Sequence, residues 1–292
     1  MAKFMKKILW ATDFSDESLE SLSYAKLFAD TFKADLSAVH VAPDFSPALY
    51  DTAAVIQGEL TKRVTAFKNE AKKKLEEIQK SKNVAFDIIL SEGNASKKII
   101  ETAENIDADL IVMGCKGQTA IEKIFIGSVT NHVIRNTPVP VLLTKRGHRK
   151  PKVKKILVPT DFTAQEEIER DFAWKLATGF DSALMFLHVL ELHDYEFPPK
   201  IVDEMMEAVI SKLTSRRKKE HETVVLKEDV TRAINASLGI VDYAQSHKYD
   251  MIVISTYVQS KLERFFLGST TEKVISHSQV PIFAIPPTHL GK

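Results

Sequence analysis

Short apolar runs alternate along this chain with longer stretches whose apolar positions recur every three or four residues. Ile8-Leu-Trp-Ala11 sits inside a first run, Lys6–Ser15, that ends in the polar turn Thr12-Asp-Phe-Ser. Ser15 is placed to cap a helix, and Leu19, Leu22, Ala25, Leu27, Phe28 and Ala29 follow at helical spacing. Asp35–Val41 reads as a second strand, 53–81 as a long helix, and Val84–Leu90 as a third strand. Lys and Glu are mixed along the long helix, which describes a solvated face. Asn94-Ala-Ser opens a helix to about Asn105, Asp109–Met113 is a fourth strand, Val129–Arg135 a helix, and Val139–Thr144 a fifth strand. Strands separated by helices in this way predict a parallel α/β sheet.

The same pattern then runs again. Lys154-Lys-Ile-Leu-Val-Pro-Thr-Asp-Phe-Thr163 repeats Lys6-Lys-Ile-Leu-Trp-Ala-Thr-Asp-Phe-Ser15, and His188-Val189 repeats His40-Val41 at the same offset of 148. Asn235-Ala-Ser repeats Asn94-Ala-Ser, and Gly268-Ser-Thr-Thr repeats Gly127-Ser-Val-Thr, both at an offset of 141. The difference falls between strands two and three, where a change of loop length costs little. Val280–Ile285 repeats the fifth strand. The period is too long for a solenoid and suits a pseudo-dimer of two domains in one chain. The expected division is 1–146, a linker 147–153, and 154–292. The basic stretch Lys145–Lys155 reads as a solvated hinge.

Composition narrows the function by exclusion. The 292 residues carry 40 Lys and Arg against 39 Asp and Glu, so no overall charge favours nucleic acid or an anionic membrane. Cys115 is the single cysteine, which suits a reducing compartment. The apolar run after the first lysines is too short for a signal peptide, and no stretch approaches the ~18 apolar residues of a membrane span. A soluble cytoplasmic protein is expected.

Candidate chemistry gathers where strands end. In an open parallel sheet, ligands bind beyond the carboxyl ends of strands, at the point where strand order reverses. Asp13, Val41 and Met113-Gly114 stand at such ends. Three of the ten glycines, Gly114, Gly117 and Gly127, fall within 113–130. Gly114 and Gly117 would permit positive φ and a close approach of backbone N–H groups to phosphate. Gly127-Ser128-Val129 opens a helix whose N-terminus attracts anions, and the hydroxyls of Ser128 and Thr130 would add donors. Asp13 would accept from ribose hydroxyls, the backbone of Val41 would read an adenine edge, and Met113 would lie against ring or sugar. The competing reading is a tight turn, a helix cap and a helix-entry aspartate. No Gly-x4-Gly-Lys-Ser/Thr loop and no Gly-x-Gly-x-x-Gly after the first strand is present. No catalytic base with a partner is placed by sequence, Cys115 reads as a bystander thiol, and the nine histidines lack metal-site spacing. Catalytic and metal residues are therefore expected to be none.

Taken together, Thr12-Asp13, His40-Val41, Asp109-Leu-Ile-Val-Met-Gly114, Gly114-x2-Gly117-x9-Gly127-Ser128 and Val133-Ile-Arg-Asn-Thr-Pro-Val-Pro-Val141 resemble a universal stress protein, repeated in tandem over nearly the whole chain. The resemblance implies two five-stranded parallel open sheets of strand order 3-2-1-4-5, of the adenine-nucleotide alpha-hydrolase-like kind, forming an intrachain pseudo-dimer through the fifth strands. It carries ATP contacts over to Thr12, Asp13, Val41, Met113, Gly114, Gly117, Gly127, Ser128, Val129 and Thr130, with Mg as a candidate companion ion. Ala11 stands where many members have Pro. In the second half Ser255 and Val258 replace Gly114 and Gly117, while Asp161, Val189, Gly268, Ser269 and Thr270 persist. The first domain is thus expected to bind ATP and the second to bind it weakly, not at all, or to hold another ligand. The implied function is a nucleotide-dependent stress-response regulator with unidentified protein partners and a candidate homodimer. The alternatives are a slow ATPase or an autokinase using Ser128 or Thr130, and a scaffold with a non-nucleotide ligand in the second domain.

Overall fold

A computed structural model describes residues 4–43, 54–116 (side chains from 61), 126–145, 147, 150–162, 166–192, 197–215, 224–256 and 267–286. The first half runs β1 (Lys7–Ala11), α1 (Asp16–Phe32), β2 (Asp35–Ala42), α2 (Ala54–Lys82), β3 (Asp87–Glu92), α3 (Ala95–Asn105), β4 (Leu110–Gly114), α4 (Ser128–Asn136) and β5 (Val141–Thr144). The second half repeats it as β6 (Lys155–Pro159), α5 (Glu166–Phe180), β7 (Ala183–Glu191), α6 (Pro199–Ser215), β8 (Leu226–Ala233), α7 (Ala236–Ser246), β9 (Met251–Ser255), α8 (Ser269–His277) and β10 (Ile282–Ile285). The strands join in one ten-stranded sheet ordered β3-β2-β1-β4-β5-β10-β9-β6-β7-β8. Each half is parallel, in the expected 3-2-1-4-5 order. The halves meet where β5 and β10 pair antiparallel, Leu142 opposite Phe283.

Apolar runs such as Ile8-Leu-Trp-Ala11 form central strands because helices cover both faces of the sheet. One apolar cluster includes Trp10, Phe28, Leu75, Phe186 and Phe283, and the other includes Ile99, Met113, Val133, Val189 and Val274. Each cluster runs through both halves. At the seam Phe28 packs edge-on against Phe180 at 4.8 Å and stacks with Phe283 at 6.3 Å. Gly179 makes room for the Phe32 ring, since a Cβ there would lie 2.3 Å from its Cε1.

Strand edges differ from the sequence reading for identifiable reasons. Val84 and Phe86 do not pair with β2. They pack under the end of α2, where the Gln79 side-chain amide donates to the Phe86 carbonyl at 2.6 Å. The fifth strand starts at Val141 because Pro140 has no N–H and Val139 donates instead to the Thr137 hydroxyl. Asp109 and Asp250, which recur at the start of the fourth strand, have a structural task. Asp109 accepts from the N–H groups of Lys6 and Lys7, and Asp250 from those of Lys154 and Lys155.

The stretch 145–155, expected as a solvated hinge, keeps Lys152 and Lys154 exposed and also makes contacts with the body. Its described residues are fastened to the body. Lys145 Nζ donates to the Ser276 carbonyl at 2.6 Å, Gly147 N–H donates to the Glu20 carboxylate, Val153 is buried, and Lys152 pairs with Asp250 at 2.9 Å. The charges keep the stretch polar, and Lys145 and Lys152 each have a local partner.

Candidate functional site

The strand order reverses between β1 and β4 in the first half and between β6 and β9 in the second. The residues just beyond those strands are shaped by a repeated turn. Phe14 and Phe162 lie in the left-handed region at φ 64° and 62°. A bulky residue there stores roughly 1–3 kcal/mol of strain unless the surroundings hold it. His40 and His188 provide the hold. Each ring packs on its phenylalanine, at 4.4 and 4.8 Å, and donates through Nδ1 to the carbonyl of Thr12 or Thr160 at 2.8 Å. Burial lowers the pKa of His40 and keeps it neutral. The His-Val repeat noticed in the sequence therefore pins the end of the first strand.

Within this frame Thr12 is buried, and its hydroxyl pairs with Ser18 and accepts from Phe14 N–H. Asp13 is partly exposed, and its Oδ1 accepts from Ser15 N–H at 3.0 Å, so it also shapes the entry to α1. Val41 is half-buried at the end of β2. The Met113 side chain is 5 % exposed and packs in the apolar cluster, as its counterpart Ile254 does at 6 %.

Gly114 serves a different need than expected. It is the last residue of β4 and does not adopt positive φ. A Cβ there would lie 3.1 Å from the backbone of Glu17 and Ser18, so the missing side chain lets α1 approach β4. Gly114→Ala must push α1 away and should cost about 1–3 kcal/mol. Urea unfolding would show this as a lower midpoint at unchanged slope. Gly117 lies outside the described residues.

Past β4, Cys115 is buried, and burial pushes its thiol up to about 11, which removes it as a nucleophile at neutral pH. Its carbonyl accepts from Gly127 N–H at 2.9 Å and fixes the start of α4. Gly127 is the N-cap at φ −59° and supplies no side-chain cap, whereas Ser15, Asn94 and Asn235 cap α1, α3 and α7 with their side chains. Ser128 and Val129 are exposed in the first turn. Thr130 is 3 % exposed, and its hydroxyl donates to the Gly114 carbonyl at 3.0 Å. That hydroxyl ties α4 to β4 and is not turned out toward a phosphate.

The second half displays the same positions around an open space. A cavity of about 620 Å³ is lined by the counterparts of all the candidate residues except that of Gly117. Thr160, Asp161 and Val189 stand for Thr12, Asp13 and Val41, while Ile254 and Ser255 stand for Met113 and Gly114. Gly268, Ser269, Thr270 and Thr271 stand for Gly127–Thr130. Val258 lies outside the described residues. The Thr271 hydroxyl donates to the Ser255 carbonyl at 3.0 Å, as Thr130 does to Gly114.

Two acidic residues escaped the sequence reading. Glu17 accepts from Lys116 N–H at 2.9 Å where the chain leaves β4, and burial raises its pKa. Glu169 accepts from Ser255 N–H at 2.8 Å where the chain leaves β9. Glu169 stands where the repeat has Ser21, so a comparison of α5 with α1 holds the signal. Among the described residues, no group of three or more His, Cys, Asp or Glu could hold a metal ion, and no helix is long and apolar enough to cross a membrane.

Comparison with known proteins agrees with the repeat. The model of the universal stress protein family matches twice, over residues 5–145 and 152–286. Universal stress protein MJ0531 of Methanocaldococcus jannaschii is 37 % identical over 141 residues, 48 % of this chain and 82 % of that protein. Universal stress protein MJ0577 of the same organism is 33 % identical over 159 residues, 50 % of this chain and 98 % of that protein. The crystal structure of a universal stress protein from Archaeoglobus fulgidus superposes with a TM-score of 0.66 at 20 % identity, over 97 % of both chains, and shares the fold. With two copies of the family's domain joined edge to edge in one sheet, this chain belongs to the universal stress protein family as a tandem member.

Proposed function

We propose that the chain is a nucleotide-dependent regulatory module of the stress response, with ATP bound by the first half, 1–146, and a changed site in the second, 154–292. The observation that carries this reading is the start of α4. It opens on Gly127 without a side-chain cap, beside the strand end that bears Asp13. Its free N–H groups and positive dipole end suit a phosphate there. Asp13 and Val41 would take the ribose and the adenine edge, with Thr12, Met113 and Gly114 forming the support. Gly117, Ser128 and Val129 would complete the phosphate loop, and Thr130 would hold α4 in place. A path to the partner domain exists. Arg135 in the last turn of α4 pairs at 3.2 Å with Glu272 in the first turn of α8. Through this pair, occupancy of the α4 N-terminus would bear on α8.

Titration calorimetry with ATP tests the reading. The expected stoichiometry is one per chain. Gly117→Val, which copies Val258, should weaken binding by about 2 kcal/mol, roughly thirtyfold in Kd. Two equal sites, or unchanged affinity in the variant, would overturn it. The autokinase alternative narrows to Ser128, because the Thr130 hydroxyl is sealed.

A further inference from the structure

We propose that the cavity of the second half is a separate binding site for a zwitterionic amino compound of amino-acid type. The ligand's ammonium group would meet Glu169 and Asp161, and its acid group would meet the start of α8. Its apolar body would lie against Val189, Ile240 and Ile254.

The cavity, about 620 Å³, is large enough for a small metabolite. Three carboxyl groups line it, Asp161, Glu169 and Glu191, and no Lys or Arg is among the described lining residues. Glu169 is 8 % exposed, whereas Asp161 and Glu191 are exposed at the rim. The first half has the neutral Ser21 in place of Glu169, its hydroxyl donated to the Ser18 carbonyl. The second half has therefore set a carboxyl into the floor of its site. An ammonium group brought to these carboxyls would stabilise their charged form.

The acid does not stand alone. Ser255 joins it to the opposite kind of subsite, because its N–H donates to Glu169 and its carbonyl accepts from Thr271 in the first turn of α8. That helix starts on Gly268 with no side-chain cap, and Ser269 and Thr270 line the cavity. A positive subsite and a negative subsite thus lie on the two sides of one residue. Glu191 is occupied at the rim, where it accepts from Ala236 N–H at the start of α7. Val189, Ile240 and Ile254 add buried apolar surface to the lining, while His188 also lines it with its Nδ1 committed to the Thr160 carbonyl. A ligand of both signs with an apolar body matches that arrangement.

Proton balance supplies an independent readout. Burial first, with Asp161 and Glu166, pushes the Glu169 carboxyl up to about 8 against the opposing Ser255 N–H and Arg170. At pH 7 the group is mostly protonated. An arriving ammonium stabilises the carboxylate, and the Glu169 proton leaves to solvent while the ligand keeps its own. Binding should release protons at pH 7.

The experiment uses the full chain. A thermal-shift screen of the twenty protein L-amino acids at pH 7 is followed by calorimetry of the strongest binder in two buffers of different ionisation enthalpy. For a leucine-like binder, 3-methylbutylamine and 4-methylpentanoate serve as probes lacking the acid and the amine. Expected are one amino-acid site per chain, weaker binding of both truncated probes, and a buffer-dependent enthalpy that reports proton release. Glu169→Gln should weaken binding at least about tenfold and abolish the release. Asp161→Asn, an exposed position, should weaken binding without changing the fold. ATP affinity in the first half should be unchanged in both variants, which separates this proposal from the ATP reading. No stabilising amino acid, displacement of the amino acid by ATP, or unaltered affinity and proton release in Glu169→Gln would each overturn the proposal.

Discussion

Arg170→Ala should lower the unfolding free energy by about 3–5 kcal/mol, because it breaks a buried ion pair by removing one member. Arg170 and Glu166 lie one turn apart on α5 with side chains 6 % and 2 % exposed, joined through Nε at 2.6 Å. The guanidinium also lies 3.9 Å over the Phe186 ring, and both terminal nitrogens lack a hydrogen-bond partner. The pair occupies the place of Ser18 and Leu22 in the first half, where Trp10 fills the space and donates to Ser21 and to the Ser18 carbonyl. The second half has Val158 for Trp10 and Phe186 for Ala38. The two cores have thus exchanged where their bulk lies. If the pair is retained for more than stability, replacing both members with apolar residues should be tolerated. Glu166→Leu with Arg170→Met should be more stable than Arg170→Ala alone, and may not be reversed without discarding the buried-charge account. Urea unfolding of the three proteins measures this directly.

Phe28→Ala should cost about 3–5 kcal/mol and weaken the hold of one half on the other. The ring is fully buried between Phe32 of its own helix and Phe180 and Phe283 of the second half. Antiparallel β5–β10 pairing spans few residues, Ile282 to Ala284 opposite Leu143 to Val141, so the aromatic contacts supply much of the seam. The expected result is an unfolding transition that separates into two steps by calorimetry. A single transition at the original temperature would show that the ring contributes little. Phe32→Ala is the comparison, since it removes a ring that Gly179 was shaped to receive.

Much of this architecture was legible in the chain. Apolar runs joined by amphipathic stretches specified alternating strands and helices, and the offsets of 148 and 141 specified two copies. Ser15 and Asn94 were readable as caps, because a side-chain oxygen before a helical pattern has few other uses. The candidate residues at 12–13, 41 and 113–130 were readable as strand ends and a helix start. Their individual tasks were not. Gly114 looked like a phosphate-loop glycine, yet its missing Cβ accommodates α1. Thr130 looked like a donor to a ligand, yet its proton goes to Gly114. Periodicity tells which face of an element is buried, but not which neighbour arrives there.

Sequence alone determined the repeat, the parallel α/β class and the strand order through its family motifs, since each rests on local pattern or on recurrence along the chain. Tertiary structure decided what depends on two distant segments meeting. It joined the halves, as the resemblance implied, into one continuous sheet through β5 and β10, and it packed Met113 in the apolar cluster and bonded the Thr130 hydroxyl to Gly114. It also brought Glu169 of α5 to the end of β9, 86 residues away, beside an open cavity. Burial and desolvation turn that carboxyl into a distinctive group, and neither exists until the chain has folded around it.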